Sequence, residues 1–158
     1  MHLSGPLRLM QVLDGKRREG TELKGDVGIV PAGTDGTCIF GTDSEDVNLL
    51  LEERFFRRVA TEAGIDEARL EVVGAFAARD PHLERIGLAF LSELETGGPG
   101  EALYAESLAN LLALHLIRHH SSVGLGAKAA LEREASAGLP ASALKRAIEY
   151  VEDNLAAE

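Results

Sequence analysis

The sequence has no tryptophan and only 4% aromatic residues, so its core must be built from Leu, Ala, Val and Ile. A single cysteine, Cys38, excludes an internal disulfide framework and a cysteine-rich zinc site, which fits a reducing cytoplasm. Positive charge is in deficit: 16 Lys and Arg stand against 26 Asp and Glu, a formal net charge of −10. A chain so charged repels the phosphate backbone that supplies most of the affinity in nucleic-acid binding. No charged leader followed by an apolar stretch opens the sequence. Its most apolar helical segment, 101–117, is interrupted by Glu106, Asn110 and His115 and falls short of the ~20 clean residues that span a bilayer. These absences lead us to expect a cytoplasmic protein with no membrane partner.

What is present suits one folded domain, with 45% apolar residues over 158 positions. Turn residues punctuate the first third at Asp14-Gly15, Gly20, Gly25, Pro31-Ala32-Gly33, Gly36 and Gly41. Between them, runs at 7–13, 26–31, 37–40 and 46–51 are rich enough in Leu, Val, Ile and Phe to predict strands. At Glu52 the texture changes. Phe55, Phe56, Val59 and Ala63 fall at helical spacing before Gly64, and 69–76 reads as one more strand. Asp80-Pro81 has the form of an N-cap followed by proline at the first helical position, and Leu83, Ile86, Phe90 and Leu94 make the stripe behind it. After Gly97-Gly98-Pro99-Gly100, a second helix is predicted over roughly 101–120. Residues 121–138 mix Ser, Gly, Ala and charge and read as a linker with room for some helix. Periodicity returns in Leu144, Ala147, Ile148, Val151 and Leu155, which predict a final helix.

Two local patterns carry more than secondary structure. Gly25 to Gly33 has the spacing G-x5-P-x-G, in which glycines serve the bends and Pro31 closes a strand where its missing N–H does no harm. This stretch resembles the second conserved motif of cupin barrels, with Gly25, Pro31 and Gly33 as its structural positions. Metal-binding cupins place a histidine three residues after the last glycine, where this chain has Gly36, and no histidine lies between His2 and His82. The expectation is therefore a chain that is not an enzyme, with no catalytic residue, no cofactor and no metal.

At the other end, Gly138-Leu139-Pro140 followed by Leu144, Arg146, Ile148, Tyr150-Val151-Glu152, Asn154 and Leu155 resembles the linker and first helix of the DNA-binding domain of AraC-type transcriptional regulators. The order of parts is also similar to that family: a cupin-like stretch, a two-helix segment containing Tyr104-Ala105-Glu106-Ser107-Leu108-Ala109, then this helix. The resemblance implies an α+β fold in which a partial cupin-like antiparallel β-barrel is followed by an α-helical hairpin and a C-terminal helix. The corresponding divisions are 1–76 for the β region with one helix, 77–120 for a dimer-forming hairpin, 121–138 for the linker and 139–158 for the first helix of a DNA-binding domain otherwise absent. It implies a sensory portion that binds an unknown small-molecule effector, pairs as a homodimer, and reaches DNA only through that absent domain. A small stand-alone cupin enzyme or isomerase fits the G-x5-P-x-G spacing equally well but needs clustered His and Glu ligands. A third possibility is a fragment that acts by pairing with a full-length relative.

Tyr104, Leu108, Leu111 and His115 recur at alternating four and three spacing, the seam of a helix pair, while Ala105, Ala109, Leu112 and Leu116 form a second apolar stripe. Tyr104, Leu108, Leu111, Leu112, His115 and Leu116 are thus the candidate dimer interface. His115 and His119 share a helical face, but without a carboxylate of known placement a structural or solvated role is the stronger reading for them and for His120. Glu52-Glu53, Glu132-Arg133-Glu134 and Glu152-Asp153 read as solvated faces, and no serine or cysteine has the setting of a nucleophile.

Overall fold

The computed structural model describes residues 1–136, so the expected C-terminal helix at 139–158 lies outside the described residues. The described part is mixed α+β, with strands in two separate antiparallel sheets rather than one closed barrel. Strand β1 (Leu7–Leu13) turns at Asp14-Gly15 into β2 (Lys16–Glu22), with Leu13 opposite Lys16 and Leu7 opposite Glu22. Both turn residues have positive φ, 46° and 73°, as a two-residue hairpin with the right-handed twist of its strands requires. Strand β4 (Gly36–Phe40) pairs with the other edge of β1, giving the order β2-β1-β4. Leu7, Leu9 and Gln11 alternate inward along β1, whereas β4 is exposed throughout. The second sheet pairs β3 (Asp26–Ile29) with β5 (Ala75–Arg79), with an irregularity between Val27 and Ile29.

Four helices follow or interleave: α1 (Glu53–Glu62), α2 (Pro81–Thr96), α3 (Glu101–His119) and α4 (Ser122–Ser136). Asp80 caps α2 as its position before Pro81 predicts, its Oδ1 accepting from the N–H groups of His82 at 3.0 Å and Leu83 at 3.1 Å. Helix α3 is central. Leu112 packs with Val27, Ile29, Leu83 and Ile86, while Ala113 and Ile117 pack with Phe56, Val59, Ala60 and Leu70. Leu51, Val72 and Leu116 touch both clusters. Each large aliphatic side chain buried this way contributes on the order of 1.5–3 kcal/mol.

Several expectations require correction. The run 46–51 is extended but unpaired apart from a bridge between Asp46 and His2, because it lines a cavity instead of joining a sheet. The strand expected at 69–76 begins at Ala75 and continues to Arg79, across the anticipated division at 76–77. The earlier residues Glu71–Val73 instead pair with the segment after α3: Val73 N–H donates to His120 O at 2.8 Å and Ser122 N–H to Glu71 O at 2.9 Å. The expected linker begins as helix α4. Buried Ser121 starts it by donating its hydroxyl to Ile117 O and accepting from the Gly124 N–H. Gly124 cannot carry a side chain there, since a Cβ would collide with the Ile117 and Arg118 carbonyl oxygens. Met1–Leu125 forms one compact unit, the first of two, and the sites below belong to it.

Candidate functional site

Two features of the first unit could act on a ligand. The larger is a cavity of about 950 Å³. Its walls are β3 and its exit (Val27–Ala32), the extended segment Val47–Leu51, Phe56 of α1, Leu70–Val72, and Leu83, Gly87, Leu112 and Leu116 from the hairpin. Gly25 and Gly33 bracket the β3 wall with φ of +86° and +75°, values that favour glycine, and Pro31 stands just beyond the strand. The ionisable side chains on the lining are Glu53, Arg57 and Glu71, and Arg57 donates to Glu53 at 2.7 Å. No lining residue offers a hydroxyl, thiol or imidazole, and the walls are largely apolar with a polar end at Glu53, Arg57 and Glu71.

The second feature joins the start of α2 to the end of α3. Asp80 Oδ2 lies 2.8 Å from Nε2 of His115 and 2.8 Å from Nε2 of His120. The His115 ring stands 4.6 Å from that of His119 and 5.4 Å from that of His82, centroid to centroid. Every histidine except His2 therefore gathers around one carboxylate. Burial pushes the Asp80 carboxyl up, but hydrogen bonds from His120, His115 and the Leu83 N–H outweigh it and hold the group well below the usual carboxylate range. His119 is lowered by burial and by its histidine neighbours. His120 is placed by the backbone, since its own N–H bonds Leu116 O and its carbonyl accepts from Val73.

A third group, His2 with Glu22 and Asp46, is spatially compact but differently wired. His2 Nδ1 faces Asp46 Oδ1 at 3.1 Å and Nε2 faces Gly5 O at 2.7 Å. The Ser4 hydroxyl also lies 3.3 Å from Nε2, and the acceptors at Asp46 and Gly5 favour the charged form of the buried ring. Burial lowers the His2 pKa, and the bonds to Gly5 and Asp46 overcome it, leaving it raised. Burial raises the Glu22 carboxyl.

The six proposed dimer residues do not share one surface. Leu108 and Leu112 are buried within the chain, His115 and Leu116 are half-buried, and Tyr104 and Leu111 remain 47% and 52% exposed. Gly36 lies so close to Leu13 and to Val12 O that a side chain there would clash. Sequence reasoning singled out His115, His119 and His120 but not the carboxylate that organises them. The available signal was Asp80 itself, recognised only as a helix cap. No family model, curated protein or solved structure matches this chain.

Proposed function

We propose that the chain is the effector-sensing and dimer-forming portion of an AraC-type transcriptional regulator, a binding module rather than an enzyme. The observation that carries this reading is the cavity, whose wall is the G-x5-P-x-G strand and whose floor is the helix hairpin. Occupancy by a small amphipathic effector would bear on Leu83, Leu112 and Leu116 together, linking the ligand to the helices assigned to pairing. We place the pairing surface on the hairpin residues left open to solvent: Leu94 at 78%, Leu103 at 71%, Tyr104 and Leu111. The partner is a second copy of this chain, and DNA is reached only through a further domain, consistent with the net charge of −10. The two antiparallel sheets stand for a partial cupin-like barrel in this reading.

Titration with 1-anilinonaphthalene-8-sulfonate, an apolar body with one anionic end, tests the cavity. One molecule should bind per folded chain. Gly28 lines the cavity from an exposed position of β3, and a Cβ there meets nothing within 4 Å, so Gly28→Phe places a large side chain at the cavity's edge with no clash at its first carbon. The variant should keep its circular dichroism spectrum and lose the dye. Unchanged dye binding by folded Gly28→Phe contradicts the reading.

A further inference from the structure

We infer that Asp80, His115 and His120 form a binding site for one divalent transition-metal ion, with Zn²⁺ the best match. The three donor atoms lie within 4.8 Å of one another and come from the two ends of the helix hairpin. Two imidazoles and a carboxylate make a ligand set suited to borderline ions, and three protein ligands leave a position open for water or an added group.

The local construction fits coordination. Asp80 Oδ1 is held by the His82 and Leu83 N–H groups, which aims Oδ2 at the two histidines. A ligating carboxylate oriented by such outer bonds is the usual arrangement of a metal site. His115 is set by α3, and His120 by its backbone bonds to Leu116 and Val73. Ligands about 2.0–2.1 Å from a tetrahedral ion stand ~3.3 Å apart, so the present 2.8 Å separations need to open by only about half an ångström. The side chains are 11%, 17% and 13% exposed for His115, His120 and Asp80, enough for an ion to enter from solvent. This site is distinct from the cavity and stands whether or not an effector binds there.

The test is Co²⁺ titration of the untagged full chain, read by visible absorption. Wild type should take one Co²⁺ per chain with the intense d–d bands of low coordination number, and Zn²⁺ should bleach them. Asp80→Asn retains a capping oxygen but not the charge, and His120→Gln leaves the cap untouched. Each should weaken Co²⁺ binding by ~100-fold, at least matching the upper range seen for loss of an outer-shell partner. Exposed His82→Ala should leave the stoichiometry unchanged. If wild type takes no Co²⁺, or if either Asp80→Asn or His120→Gln keeps wild-type affinity, the site is not a metal centre and the cluster only ties the helices together.

Discussion

At the scale of single residues, two histidine–carboxylate arrangements with similar parts behave oppositely. The bonds of His2 to Gly5 and Asp46 outweigh its burial, so its charged form is favoured and its folded pKa is raised. The stability it contributes is complete below the ordinary value of 6.5 and lost as pH rises through the higher folded value. Thermal unfolding of wild type and His2→Gln across pH 5–9 should therefore show a difference that is largest at the acid end and shrinks with rising pH. A difference that grows with pH would mean the ring is neutral. Asp80 has the reverse sign. Its depressed carboxyl contributes stability present above the ordinary 3.8 and lost as pH falls through the folded value. Asp80→Ala removes the α2 cap as well as the histidine bonds and should cost ~1–2 kcal/mol from the cap alone, while Asp80→Asn recovers most of that part. Equal losses in the two variants would show that capping contributes little.

At the scale of elements, α3 decides what a substitution at the proposed interface reports. Leu108 is 8% exposed and belongs to the chain's own interior, so Leu108→Glu should unfold the protein, a buried unpaired charge costing several kcal/mol. Leu111 is 52% exposed, so Leu111→Glu should stay folded and yield a monomer in sedimentation velocity. A folded dimer of Leu111→Glu moves the pairing surface off this stripe. The elements legible in the sequence are those with an apolar run or stripe between clear turn signals: β1, β3, β4, α1, α2 and the doubly striped α3. Strand β2 escaped because Lys16-Arg17-Arg18-Glu19-Gly20-Thr21-Glu22 has no apolar alternation; it is an edge strand, nearly all exposed, specified by its hairpin turn. The run 46–51 misled because an extended apolar segment looks alike whether it pairs with a strand or lines a cavity. Helix α4 was hidden by its two early glycines, one of which is required by close approach to the end of α3. The carboxylate of the histidine cluster was illegible for a different reason: Asp80 stands 35 residues from His115, and only tertiary packing of α2 on α3 joins them.

At the scale of the whole molecule, the first 125 residues place a partly open, largely apolar cavity between a short sheet, an extended segment and a helix hairpin. Dye fluorescence alone does not distinguish that space from a loosely packed chain, because partly folded states also bind such probes. The equilibrium itself does. A ligand that binds only the native state stabilises it by about 2.7 kcal/mol at a concentration 100 times its Kd. The most direct measurement is therefore the thermal unfolding midpoint of the chain against rising 1-anilinonaphthalene-8-sulfonate, with Gly28→Phe in parallel. A native binding cavity predicts a midpoint that climbs with dye for wild type and stays level for the filled variant. A wild-type midpoint that stays level or falls, showing the dye bound to unfolded chains, would contradict the account.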